Sequence, residues 1–307
     1  MITRADVDAA AIRIGGRVRR TPVLEVADSG ATMFKLEQLQ HTGTFKARGA
    51  LNRILAASES GELTGAGVVT ASGGNAGIAV AHAAAQLGVP AEIYVPVISS
   101  PAKVRRLHEL GAVVVQVGNE FAEAYEAARK RVADSGATFC HPYDQPDMAA
   151  GAGTLALELW EQTGGFDTVL VAVGGGGLLA GVAAALEGQA RTVGVEPTGA
   201  RALHDALAAG RPVDVPVSGV AADALGARRV GDIAFEVARR TGVRSLLVED
   251  ADLIAARRHL WDHYRIVVEH SAAAAMAALT SGAYQPAGGE RVAVVLCGAN
   301  TDPSDLV

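Results

Sequence analysis

The run Thr168-Val-Leu-Val-Ala-Val173 leads straight into Gly174, Gly175, Gly176 and Gly177 and then into Leu178-Leu179-Ala180-Gly181. A β-branched apolar strand stops, four glycines turn, and a helix begins. Four consecutive glycines are an unfavourable way to build a plain turn, because glycine loses more backbone freedom on folding than any other residue. They make sense where the backbone must adopt positive φ or come close to a ligand. The free N–H groups at the start of the helix, with the helix dipole, form an anion site that needs no lysine. Phosphate binding is therefore favoured over an empty turn. Gly175, Gly177 and Ala180 also fit G-x-G-x-x-A, with Glu196 ending the next strand, so a dinucleotide site is the competing reading.

The rest of the chain alternates in the same way. Strands are expected at 67–70, 91–95, 113–117, 168–173, 192–195, 245–248 and 292–296. Helices are expected at 76–87, 101–110, 121–135, 178–187, 250–263 and 271–281. Alternating β and α elements argue for parallel sheets covered on both faces. Half of the 307 residues are hydrophobic, only 4% are aromatic and 36 are glycine, which suits an α/β core filled by Ala, Val and Leu. The net charge of −6 comes with no basic stripe, so nucleic acid is not an expected partner. No segment approaches the roughly 18 consecutive apolar residues of a membrane span, and the N-terminus does not read as a secretory signal. A cytoplasmic protein is expected. Cys140 and Cys297 are too few for a disulfide framework or a thiolate-rich metal cluster. His259 and His263 lie four apart, but Leu260 stands where a zincin helix has Glu, so no metal site is expected.

Three further segments carry chemistry. Lys46 lies between Phe45 and Ala47 at the start of an expected helix. It reads equally as a solvated lysine or as one in a partly apolar pocket, its pKa lowered for Schiff-base formation. Thr70-Ala-Ser-Gly-Gly-Asn-Ala-Gly77 repeats the strand, glycine loop and helix pattern. There Ser72 and Asn75 serve either as helix caps or as donors to a carboxylate. Val292-Ala-Val-Val-Leu-Cys-Gly-Ala-Asn300 puts Cys297 at the carboxyl tip of a strand, where a buried inert thiol is the simpler reading.

Taken in order, Thr21-Pro22, Lys35-Leu-Glu37, Thr42-Gly-Thr-Phe-Lys-Ala-Arg-Gly49, Ser72-Gly-Gly-Asn-Ala-Gly77, Pro142-Tyr-Asp144, Gly151-Ala-Gly-Thr154, Gly174 to Gly177, Val195-Glu-Pro197 and Cys297-Gly-Ala-Asn300 span nearly the whole chain. This ordered set resembles the fold type II pyridoxal-phosphate enzymes, the tryptophan synthase β-like family, and within it the serine/threonine dehydratase group. The resemblance implies that Lys46 carries pyridoxal 5'-phosphate as a Schiff base and that Phe45 packs beside its ring. Asn75 would bond the ring hydroxyl. Gly174, Gly175, Gly176, Gly177 and the Leu178 amide would hold the phosphate, and Cys297 would face the pyridine nitrogen. Ser72, Gly73, Gly74, Asn75 and Ala76 would hold the substrate carboxylate.

The expected architecture is two doubly wound open-sheet α/β domains with the active site in the cleft between them. Residues 1–60 and 146–307 would form a large cofactor-binding domain and 61–145 a small one. The expected reaction is β-elimination from a small β-hydroxy amino acid, L-threonine or L-serine, to a 2-oxo acid and ammonia. Alternatives are a hydroxyaspartate or arylserine dehydratase, a β-replacement enzyme of the same fold, a non-catalytic relative or a nicotinamide-dependent dehydrogenase. A thiol with a reference pKa of about 8.5 is a poor acid–base partner for the ring nitrogen, which favours prompt loss of the β-hydroxyl over transamination. Serine racemases place a serine where this chain has Gly73, so racemisation should be minor. Metal-dependent relatives have an Asp six residues after the Glu of Glu196-Pro197, where this chain has Ala202. The chain ends at Val307, so isoleucine feedback through a C-terminal regulatory domain is not expected. A homodimer is expected, as relatives are often dimers.

Overall fold

In the computed structural model, which describes residues 1–28 and 31–306, the strands sort into two sheets; Val307, the chain end noted above, lies outside the described residues. The strands are β1 (Val23–Asp28), β2 (Ala31–Leu36), β3 (Val68–Ala71), β4 (Ala91–Val95), β5 (Val113–Gln116), β6 (Thr138–Phe139), β7 (Thr168–Ala172), β8 (Arg191–Pro197), β9 (Arg244–Val248) and β10 (Val292–Leu296). One sheet has the order β1-β2-β10-β7-β8-β9 and the other β5-β4-β3-β6. Only the β1/β2 pair is antiparallel among the described residues; every other pairing is parallel. All five residues of β7 and of β10 are buried. They sit at the middle of the larger sheet with helices on both faces, which is why they read as unbroken apolar runs.

The helices are α1 (Arg4–Ile14), α2 (Lys46–Ser60), α3 (Asn75–Leu87), α4 (Pro101–Glu109), α5 (Phe121–Ser135), α6 (Pro146–Thr163), α7 (Gly177–Ala185), α8 (Ala202–Ala209), α9 (Ala222–Leu225), α10 (Asp232–Thr241), α11 (Asp250–Tyr264) and α12 (His270–Thr280). Each element expected from sequence is present to within two residues at either end. The structure adds β1, β2, β6, α1 and α6. Glu25 and Lys35 interrupt the apolar pattern of β1 and β2, and β6 is only two residues long. Helix α6 contains Gly151 and Gly153, poor helix formers, yet packing requires both. A Cβ on Gly151 would lie 2.7 Å from the Arg48 carbonyl oxygen of α2, and one on Gly153 would lie 2.4 Å from the Gly181 carbonyl oxygen of α7. Helix α6 thus holds α2 and α7 at backbone contact distance.

Charges buried between these elements are fully paired. Arg48, 1% exposed, donates from Nε and Nη2 to Glu37 at 2.9 and 2.8 Å and lies 3.0 Å from Glu158 on α6. Lys35, fully buried on β2, donates to Glu158 at 2.7 Å, to Gln162 at 2.8 Å and to the Thr21 carbonyl at 2.8 Å. Removing one member of such a set strands the others in low dielectric. Arg48→Met should therefore destabilise the protein by about 3–5 kcal/mol, read as a lower urea midpoint. Adding Glu37→Leu should recover much of that loss.

Candidate active site

Lys46 is the first residue of α2, and the end of β10 sets its place. The Phe45 N–H donates to the Cys297 carbonyl at 3.1 Å, and Thr44 forms an isolated bridge with Gly298. The Lys46 amine donates to the Pro142 carbonyl at 2.8 Å and sits 5.2 Å from the centre of the Phe45 ring. Burial lowers its pKa from 10.5 to about 8, against the pull of Cys297 and Glu269. The amine thus becomes available as a neutral base close to neutral pH.

The tetraglycine turn faces the same space. Tyr143, Gly177 and Leu178 line one small cavity with Phe45 and Lys46. Gly176 has φ +89°, and a Cβ there would lie 2.4 Å from the Ala234 Cβ. A Cβ on Gly175 would lie 2.3 Å from the Tyr143 ring, and one on Gly177 would lie 2.6 Å from the Tyr143 carbonyl oxygen. Side chains would fill this cradle. Helix α7 begins here with its first N–H groups free of helical partners, the arrangement that receives a phosphate.

A second helix N-terminus comes from the other sheet. After β3, Ser72, Gly73 and Gly74 turn into α3, whose first residue is Asn75. The helix-cap reading of this loop fails: Gly74 is the N-cap, with no side-chain cap bond. Ser72 Oγ instead accepts from the Gly74 N–H at 3.3 Å. A Cβ on Gly73 would approach Val95 Cγ1 at 3.3 Å, a tight fit. The Asn75 amide turns away from the helix, and Nδ2 donates to the two Glu269 oxygens at 2.9 and 3.1 Å. Asn300 Nδ2 donates to Asn75 Oδ1 at 2.8 Å and to the Thr42 carbonyl at 2.9 Å. Thr42 holds φ +65°, an unusual conformation for a β-branched residue, and its buried Oγ1 has no partner.

Sequence reasoning missed Glu269 as a site residue. Its signal was a lone carboxylate between the apolar run of residues 266–268 and an alanine-rich helix. Burial raises its pKa, although Ser271, Asn75 and the Asn300 amide all donate to it. The Cys297 thiol is buried, and burial with the Glu269 charge pushes its pKa far up, so it stays neutral. His141, beside the strap that carries the Pro142 carbonyl, is held near pKa 4 by burial, with Lys46 adding to the effect. Its Nδ1 accepts from the Asp144 and Tyr143 amides at 2.9 and 3.2 Å. Glu196 caps α8, accepting from the Leu203 and His204 amides at 2.8 Å each and from Ser245 Oγ at 2.9 Å. Asp205 pairs with Arg201 at 3.3 Å.

The low pKa of Lys46 has a stability consequence. Between about pH 8 and 10.5 the unfolded chain holds a proton on this amine that the folded chain has lost, so folding gains stability as pH rises through that window. In cofactor-free protein, Lys46→Met should raise the melting temperature at pH 7. The gain should shrink toward pH 10, by at most about 1.4 kcal/mol per pH unit. A pH-independent difference would contradict the burial of this amine.

Two loops at helix N-termini, each suited to an anion, and one desolvated lysine amine fit pyridoxal phosphate; the cradle that four Cβ atoms would fill is the observation that decides the fit. Comparisons with known proteins agree. The family described as "Pyridoxal-phosphate dependent enzyme" matches residues 14–298. A phenylserine dehydratase of Ralstonia pickettii is 40% identical over 293 residues, covering 93% of this chain and 89% of that protein. An L-threonine ammonia-lyase of Geobacter sulfurreducens is 37% identical over 298 residues, covering 94% of this chain and 73% of that one. The structure of maize serine racemase superimposes with a TM-score of 0.92 at 31% identity, covering 99% of this chain and 95% of that one. The dinucleotide reading of the glycine turn falls with this result, and the chain belongs to the pyridoxal-phosphate-dependent enzymes.

Proposed function

We propose that this protein is a lyase that dehydrates and deaminates a small β-hydroxy amino acid, L-threonine or L-serine, to a 2-oxo acid and ammonia. The observation that carries this reading is the Lys46 amine, desolvated to a pKa of about 8 and hydrogen-bonded only to a carbonyl. Relatives named for dehydratase and ammonia-lyase activity support the reaction type. When bound, the cofactor supplies an aldehyde for the substrate amine and a ring that draws off the charge left at Cα.

In this reading the chain's residues divide the work. Lys46 holds the cofactor and, once displaced by the substrate amine, takes the Cα proton. Gly174, Gly175, Gly176, Gly177 and Leu178 hold the phosphate through backbone amides. Ser72, Gly73, Gly74, Asn75 and Ala76 hold the substrate carboxylate at the N-terminus of α3. Phe45 packs beside the ring, and Asn75 also serves its hydroxyl. Cys297, kept neutral, leaves the pyridine nitrogen without an ionic partner and so limits the lifetime of the Cα carbanion. Residues 1–60 and 146–307 act as the large domain and 61–145 as the small one. The enzyme works as a homodimer in the cytoplasm. The 40% identical phenylserine dehydratase supports a second reading, in which the β-substituent is an aryl group.

A panel of serine, threonine, 3-hydroxyaspartate and phenylserine assayed for 2-oxo acid decides between these. Release from threonine or serine is expected. Activity confined to phenylserine selects the aryl reading, and no release from any member overturns both. Borohydride should attach the cofactor to Lys46, and Lys46→Ala should lower kcat by about 10²–10⁴-fold. Mapping of the reduced cofactor to another lysine would remove that assignment. The wild-type enzyme should produce D-amino acid far more slowly than oxo acid, because Gly73 offers no proton donor.

A further inference from the structure

Asn75 belongs to the smaller sheet's side of the cleft, yet both ends of its side chain are held from the other side. Its Nδ2 faces the Glu269 carboxylate at 2.9 and 3.1 Å, and its Oδ1 accepts from Asn300 at 2.8 Å. An amide nitrogen facing a carboxylate and an amide oxygen facing an NH₂ group leave one orientation for the side chain. Glu269 is itself fixed. Its N–H donates to the Gly298 carbonyl at 3.1 Å, next to Cys297, and Ser271 Oγ donates to its carboxylate at 2.6 Å. The same residue therefore touches the chain next to the end of β10, which clamps Thr44 and Phe45 ahead of Lys46, and the first residue of α3. On the Lys46 side of the cleft this is a charged contact from α12 onto the loop 72–76. The exposed Lys103–Asp223 pair, at 2.7 Å, adds a link from α4 to α9 with side chains 39% and 78% exposed, where ion pairs hold weakly.

We propose that Glu269 is a positioning residue, which grips Asn75 and so keeps the loop 72–76 and the first turn of α3 in register with the Lys46 amine. It touches neither substrate nor cofactor. The proposal rests on the assignment of that loop to the substrate carboxylate. Replacing the carboxylate by an amide sets an NH₂ group against donors from Asn75, Ser271 or the Asn300 backbone, so the grip weakens while the side-chain volume is kept.

The test uses Glu269→Gln holoenzyme. Hydrogen exchange in the segment 72–78 should quicken roughly tenfold or more, with exchange in 174–180 unchanged. KM for the amino acid should rise about tenfold, corresponding to 1.4 kcal/mol, with cofactor affinity retained. Asn75→Ala should raise KM to a similar degree, and the double variant should be no worse than either single one, because both remove the same contact. Wild-type exchange in 72–78, or additive losses in the double variant, overturns the proposal. If Glu269→Gln does not fold, Glu269→Asp carries the test, since a carboxylate one methylene shorter falls short of Asn75. Faster exchange with raised KM supports the proposal, and wild-type values overturn it. Failure of the wild-type enzyme to turn over any amino acid would defeat the lyase reading, whereas the tether is judged by the exchange alone.

Discussion

Arg48 lies between two carboxylates in the protein interior, and much of the site's geometry follows from that pairing. Its guanidinium takes both oxygens of Glu37, just after β2, and reaches Glu158 on α6, which in turn holds Lys35. Burying four charged groups is unfavourable unless each finds its partner in good geometry, so the arrangement tolerates little movement of β2, α2 or α6 relative to one another. Lys46 precedes Arg48 by two residues, about 200° around the helix. With the back of α2 locked into the larger sheet's core, its first residue has one direction left, toward the cleft. Helix α6 passes the constraint on, because its backbone touches α2 through Gly151 and α7 through Gly153. The amine and the glycine turn thereby keep a fixed separation.

The two faces of α2 show how one helix supports opposite electrostatics. Arg48 is surrounded by carboxylates, and their charges raise its pKa despite burial. Lys46 has only a carbonyl as hydrogen-bond partner, so desolvation prevails and its pKa falls to about 8. Close by, burial keeps the Cys297 thiol protonated and moves His141 to about 4, so both stay neutral near pH 7. The space around the amine is thus poor in compensating charge. Helix N-termini supply the positive potential instead, one from each sheet, and this suits a ligand that brings its own phosphate and carboxylate.

Much of this was legible in the chain itself, for reasons that can be named. The β7 strand and its glycines announce a strand, turn and helix, because burial on both faces demands an apolar run and close approach demands glycine. The ordered motifs pointed to the cofactor family and to Lys46. What stayed hidden has equally physical causes. Lys35 and Glu37 read as interruptions of a surface strand, whereas their partners are 123 residues away in sequence for the Lys35–Glu158 bond. Helix α6 was obscured by glycines that weaken helix propensity yet permit contact with two neighbours. Glu269 carries no local motif, and its role depends on Asn75, 194 residues distant.

The sequence by itself determined the alternation of strands and helices, the glycine turn and the identity of the cofactor family, since these rest on local periodicity, backbone freedom and residue types at short spacing. Only the tertiary structure decided that the Lys46 amine is desolvated, that Ser72 and Asn75 cap nothing, and that Asn75 is gripped by Glu269 across the cleft. Burial and long-range hydrogen bonds belong to the arrangement of distant segments in space, and no stretch of neighbouring residues contains that information.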